Sequence, residues 1–198
     1  MFRSSGEARH PCARNALTGC LLMALATVSC LAAMGMQEPG FRMSSRSLED
    51  GAFRIGQVYK GMGCIGQNIS PELSWADPPE GTRSFVVTIF DRDAPTGSGW
   101  WHWVVANIPA SVHSIEAGAS GTSRMPPGSI ETRNDYGSAG YGGPCPPELD
   151  APHRYVITLF ALRVEKLEVT ADSTAAMVGL LTSASSLANT TISATYGR

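Results

Sequence analysis

Short β-forming runs separated by glycine and proline make up most of the chain. "SFVVTIFD" (84–91), "WWHWVVANIP" (100–109) and "RYVITLFAL" (154–162) are β-branched and aromatic, and turn residues bound each of them. The second is apolar on both faces, which predicts a central strand between packed layers. "FRIGQVYK" (53–60) and "TTISATYG" (190–197) alternate and predict a first and a last strand, with a short strand at 73–75 between them. "DPPEGT" (77–82) and "APTGSG" (94–99) are turns. One stretch, "ADSTAAMVGLLTSASS" (171–186), reads as helix, with Asp172 or Ser173 able to cap it. "NDYGSAGYGGPCPPELDAP" (134–152) is too rich in glycine and proline for regular structure, and a loop of that length in a compact domain points to function. The predicted class is mostly β: a two-sheet antiparallel β-sandwich with Greek-key connections and one C-terminal helix.

The chain opens on a different pattern. Arg3, Arg9 and Arg14 precede the apolar run "ALTGCLLMALATVSCLAAMG" (16–35), which ends in small residues. This predicts a secretory signal peptide over 1–35, a polar tether over 36–50 and the folded domain over 51–198. A periplasmic or secreted location follows. The alternatives are a leader kept as a membrane anchor, or a lipid on Cys30 at the end of "TVSC". Thr18, Gly19, Thr27 and Ser29 make the run a poor membrane span. Loss of the leader removes Cys12, Cys20 and Cys30, and leaves Cys64 and Cys145. Two cysteines in an exported domain suggest one disulfide. The formal net charge of −2 gives no basic footprint for nucleic acid.

Strand alternation brings candidate chemistry together. Asp91 and Asp93 are expected on one face, with Arg92 on the other. His102 is expected to share its face with Trp100 and Val104, opposite Trp101 and Trp103, and His153 to share its face with Tyr155. Asp91, His102, His153 and Tyr155 then form a small pocket. An aspartate accepts an imidazole N–H and favours the cation. Two imidazoles and a phenol offer donors suited to an oxyanion such as phosphate, with no metal between them, and binding weakens above neutral pH as imidazole loses its charge. Backbone N–H groups at Gly142, Gly143 and Cys145 would add donors as a nest. The competing chemistry is a hydrolase with Cys145 as thiol nucleophile and His153 as base; against it, no third group is assigned to orient the pair.

Four stretches taken together, "NISPELSW", "GTRSFVVTIFDRDAPTGSGWWHWVVANIP", "NDYGSAGYGGPCPP" and "HRYVITLFAL", resemble the phosphatidylethanolamine-binding protein family, also called Raf kinase inhibitor protein-like. The likeness is to its bacterial YbhB/YbcL-like branch and runs from about Phe53 to the terminal "TYGR". It implies a two-sheet sandwich with a small pocket for phosphate-like anions. The family's pocket aspartate falls on Asp91 with Asp93 as second acid, its histidines on His102 and His153, and its tyrosine on Tyr155. Trp100, Ala94 and Pro95 would line the mouth, and the loop would contribute Gly143, Pro144, Cys145 and Pro147. The "GC" and "GPCPP" motifs of bacterial members match Cys64 and Cys145. Two departures stand out: Arg92 replaces a proline between the aspartates, and "ELDAP" brings Glu148 and Asp150 to a stretch where glycine is usual. The expected function is therefore an exported binding protein for a small anion, phosphate or a phospholipid headgroup, with no catalytic residue, metal or cofactor. Inhibition of a protease or another protein partner is the alternative, and dimers occur among similar bacterial proteins.

Overall fold

The computed structural model describes residues 40–48 and 50–198. The leader expected over 1–35, Cys30 included, lies outside the described residues. In chain order the strands are β1 (Arg42–Ser44), β2 (Lys60–Gly61), β3 (Cys64–Ile65), β4 (Leu73–Ala76), β5 (Ser84–Asp91), β6 (Trp100–Pro109), β7 (Ser114–Ile115), β8 (Ile130–Glu131), β9 (His153–Leu162) and β10 (Ser186–Tyr196). Helix α1 (Ala175–Ser185) precedes β10 directly.

The frame is a five-stranded antiparallel sheet in the order β10-β9-β5-β6-β8. Within it β9 returns beside β5 after β6 and β8, so β5, β6, β8 and β9 form a Greek key. A three-stranded sheet, β1-β4-β7, covers one face. There Met43, Leu73, Trp75 and Ile115 pack with Phe85, Val87, Ile89, Trp103, Ile157 and Leu159. The opposite face of the large sheet buries Val86, Val104, Ala106 and Leu162 under Leu167, Val169 and two residues of α1, Ala175 and Val178. Covering on both faces is why β5 and β6 read as continuous apolar runs.

Three expectations change. Residues 42–48 are not a tether: β1 pairs with β4, a 3-10 turn follows at Arg46–Leu48, and Met43 and Leu48 are buried. The stretch 53–59 contains a turn rather than a strand, closed by Gln57 N–H donating to Arg54 O at 2.9 Å, and only Lys60 belongs to a strand, β2. Its apparent alternation comes from two buried anchors, Phe53 and Val58, on either side of that turn. The helix starts at Ala175 with Thr174 as its cap, Oγ1 accepting from Met177 N–H at 3.3 Å. Ser173 instead accepts from Thr170 N–H.

Cys64 on β3 is bonded to Cys145 in the long loop, with Cα atoms 6.0 Å apart and a sequence separation of 81. Closing so long a loop restricts the unfolded chain by about 4 kcal/mol in the chain-entropy account. A Cys64→Ser/Cys145→Ser variant is therefore expected to lose a few kcal/mol of unfolding free energy in urea titration. A midpoint equal to that of the oxidised wild type would show that the bridge adds no stability.

Candidate functional site

The register between β5 and β6 slips at the site. Ile89 pairs with Trp103 but Phe90 pairs with Trp101, so His102 is the extra residue of a β-bulge. Alternation fails there. Trp103 enters the core between the sheets, its ring 5.8 Å from Tyr141 and its Nε1–H donating to Glu131 Oε1 at 2.7 Å. Trp101 packs on the opposite face, 4.4 Å from Phe90. The expected pairing of Trp101 with Trp103, and of His102 with Val104, is corrected by this one inserted position. His102 points instead toward the end of the sandwich, 5.1 Å from the Tyr155 ring.

The long loop fastens onto the bulged strand. Asp135 N–H donates to Trp101 O, and Trp101 N–H donates to Asp135 Oδ2 at 2.7 Å. Gly142 N–H donates to His102 O at 2.9 Å, and His102 Nδ1–H returns the bond to Gly142 O at 2.6 Å. Asn68 clamps the next step, accepting from Gly143 N–H at 2.7 Å and donating to Tyr141 O at 2.9 Å. The amides of Gly142 and Gly143 are thus committed within the protein, and the expected nest does not form at them. Gly143 must be glycine because a Cβ would lie 1.9 Å from the backbone oxygen of Gln57.

Asp91 and His153 end two apolar rows. On β5 the row is Phe85, Val87, Ile89; on β9 it is Leu159, Ile157, Tyr155. His153 Nδ1–H donates to Asp91 Oδ2 at 2.7 Å, with side chains only 5% and 4% exposed. Asp91 Oδ1 also accepts from Asp93 N–H at 2.9 Å. Asp93 itself turns outward and accepts from Arg154 N–H at 2.7 Å. β5 stops at Asp91, so the alternation that put both acids on one face does not extend to Asp93. Arg92 lies on the other face beside Phe90, Trp101 and Val156, as alternation predicts. Of the two acids in "ELDAP", Glu148 pairs with Arg198 at 3.8 Å, whereas Asp150 sits 3.4 Å from His153 Nε2.

The two imidazoles are pushed in opposite directions. Burial opposes the cation at His153, but the hydrogen bond and charge of Asp91, and then Asp150, hold it above its ordinary value. Burial drives His102 down to about 4, against the opposing pull of the Gly142 carbonyl and Asp91. The expectation of two cations is corrected: His102 is neutral at pH 7. A carbonyl only accepts, so Nδ1 carries the proton and Nε2 presents a lone pair. Burial, and then the charge of Asp91, push the Tyr155 phenol up, so it keeps its proton.

These groups surround a cavity of about 180 Å³. Asp91, Pro95, Trp100, His102, Cys145, Pro147 and His153 line it, together with the expected Ala94. Asp93, Gly143, Pro144 and Tyr155 do not; Tyr155 stands behind the wall, near Asp91 but without a well-formed bond to it. Met62, Thr96, Tyr136 and Pro146 complete the lining unanticipated. Tyr136 stacks on Tyr59 at 3.9 Å, meets Trp100 edge-on at 5.3 Å and donates its O–H to Gly143 O at 2.9 Å. An aromatic residue in the glycine-rich loop was the available signal for it. Three buried polar atoms here have no protein partner: His102 Nε2, Trp100 Nε1 and Tyr155 Oη. A wider hollow of about 310 Å³ lies on the far side of the disulfide, lined by Ile55, Ile65, Leu149 and Arg198 among others, but none of these orphaned atoms faces it. Among the described residues no three His, Cys, Asp or Glu side chains cluster to hold a metal ion.

Comparison with known proteins gives a consistent picture. The family model of phosphatidylethanolamine-binding protein matches residues 49–197. UPF0098 protein YbcL of Escherichia coli K12 is 42% identical over 175 residues, covering 87% of this chain and 96% of that protein. UPF0098 protein YbhB of the same organism is 46% identical over 157 residues, covering 78% and 99%. The crystal structure of E. coli YbcL, there called a new member of the mammalian PEBP family, superposes with a TM-score of 0.79 over 81% of this chain and 99% of that one.

The opposed imidazoles set opposite pH responses. Below pH 6.5 the unfolded chain protonates at His102 while the folded chain resists until about 4. Stability therefore falls with acid through that window, by on the order of 3 kcal/mol. The His153 contribution is complete below about pH 6.5 and is lost as pH rises through its raised folded value. Urea titrations at pH 4.5, 6.5 and 8 should show a shallower acid-side loss in His102→Gln than in wild type. Identical slopes would mean that His102 is not buried neutral.

Proposed function

The chain belongs to the phosphatidylethanolamine-binding protein family, and from that premise we propose that it is an exported, non-catalytic binding protein for a small oxyanion-bearing ligand, inorganic phosphate or a phosphorylated headgroup. The observation that carries this reading is a cavity lined by Trp100, His102 and the Asp91–His153 pair, two of whose lining residues, Trp100 and His102, each keep a buried side-chain nitrogen without a protein partner. Buried polar groups need partners, and leaving them unmade costs about 1–3 kcal/mol each. A small polar molecule in the cavity supplies both.

Size and chemistry support the same class. A volume of about 180 Å³ leaves room for a small polar headgroup. The sulfur of Cys145 is bonded to Cys64, which argues against the thiol-hydrolase alternative. His153 has its two nitrogens turned toward Asp91 and Asp150, which leaves it no free base position. Export is favoured by the same disulfide, since such bridges persist in oxidising compartments, and by the apolar, arginine-led start of the sequence.

Calorimetric titration at pH 6 with inorganic phosphate and with phosphoethanolamine tests the pocket. Trp100→Phe removes one donor while keeping an aromatic wall, and His102→Ala removes the imidazole. Each is expected to weaken binding about tenfold or more, the loss of one hydrogen bond to a charged group. Equal affinities in the wild type and both variants would exclude this cavity as the binding site.

A further inference from the structure

We propose that β10 is an open sheet edge that takes up an extended segment of a partner polypeptide as an added strand. The edge is separate from the cavity, which no residue of β10 lines, so this inference stands or falls independently of the oxyanion reading.

One end of the edge is already in use. Thr195 N–H donates to Gly51 O and Thr195 O accepts from Phe53 N–H, both at 2.9 Å, so residues 51–53 run parallel to β10 at this point. Thr195 therefore turns its backbone groups away from β9. In an antiparallel ladder that direction alternates from residue to residue, and the register with β9 is unbroken from Ala188 to Tyr196. Ser193, Thr191 and Asn189 thus also aim their N–H and C=O groups outward. These groups have no partner among the described residues, and all three residues are exposed.

Nothing in the strand blunts this edge. Natural edges are kept short, or carry charge, proline or a bulge. β1, β7 and β8, the other margins of the two larger sheets, have only two or three residues each. β10 has eleven, "SLANTTISATY", with no charge and no proline, and its one irregularity falls between Ser186 and Ala188, before the open stretch. A row of donors and acceptors at strand spacing is matched by another extended backbone, which makes the occupant a polypeptide. Its side chains would alternate. Apolar ones would lie beside Ile192, which packs half-buried against the core between the sheets, and polar ones beside Asn189, Thr191 and Ser193. A second copy of β10 fits less well. Antiparallel pairing centred on Thr191 would set the copy's Leu187 against Thr195, where residues 51–53 already lie. A segment that ends or turns away before that point avoids the collision.

The probe is a fluorescent peptide of alternating threonine and valine with a lysine at each end. Anisotropy should report its binding to the wild type. The same peptide methylated at every backbone nitrogen keeps its side chains but loses its N–H groups, and should bind at least about tenfold more weakly. Hydrogen exchange gives the position. In the free protein the amides of Asn189, Thr191 and Ser193 should exchange fast and those of Thr190 and Ile192, turned toward β9, slowly; saturating peptide should slow the first three about tenfold or more. Thr191→Pro removes one outward N–H and leaves the bonds to β9 in place, so it should fold with a thermal midpoint close to the wild type's and bind the peptide about tenfold more weakly. The wild-type measurements decide the question if that variant does not fold. Slow exchange at the three amides in the free protein, equal binding of the methylated peptide, or no binding of either peptide would overturn the proposal. A wild-type dimer that Thr191→Pro dissociates would overturn it too, by assigning the edge to a second copy.

Discussion

The carbonyl of Gly142 determines the chemistry of the pocket. It accepts from His102 Nδ1, while the amide of the same residue donates to the His102 carbonyl, so strand and loop hold one another at a single position. A backbone oxygen cannot change roles, and that fixes which ring nitrogen carries the proton. The bond forms because a β-bulge lifts His102 out of the regular ladder and the glycine-rich loop runs alongside it. Asn68, 75 positions before Gly143, secures the loop's next step, and the loop's close approach to Gln57 excludes any side chain at Gly143. The identity of the acceptor at His102 Nδ1 thus follows from backbone packing rather than from another titrating group.

Beside that neutral ring stands a compensated ion pair. Asp91 and His153 occupy the positions where two apolar rows reach the end of the sheet, so each is buried on the side that the core supplies. A buried pair of this kind contributes little net stability against a hydrophobic replacement, but breaking it leaves a charge uncompensated. Its effect on the cavity is to supply polarity without a large net charge. Asp150 reinforces that balance from the mouth.

Much of this was legible in the chain, and the failures have physical reasons. β5, β6 and β9 were readable because β-branched and aromatic runs between turns leave little choice, and Asp91 and His153 were placed correctly because their rows stay regular to the strand end. The direction of His102 was not legible, since a bulge changes the face without changing the sequence pattern. Asp93 was misplaced because nothing in "DRD" marks the last residue of the strand. The loop amides looked free because their partners, His102 O and Asn68 Oδ1, lie far away in sequence. β1 offers only Met43 to the core, too little pattern to distinguish from a polar tether. Tyr136 had no alternation to place it, and its position depends on stacking with Tyr59.

The wall opposite the strands explains how so small a cavity keeps its shape. Cys145, Pro146 and Pro147 have no regular ladder to hold them. The bridge to Cys64 anchors one end of this segment, Arg198 Nε donates to Pro146 O at 2.6 Å, and each proline ring fixes its own φ. Across from it, Trp100 and His102 are carried by a strand, and Tyr136 is locked by stacking and by its bond to Gly143. Immobilising a free side chain on binding costs about 0.5–1.5 kcal/mol, and here most of that ordering is complete before a ligand arrives. A ligand of a few heavy atoms makes few contacts, so it can be retained only where the protein spends almost nothing on rearrangement. The disulfide and the adjacent prolines therefore fix the shape of the cavity as well as adding stability.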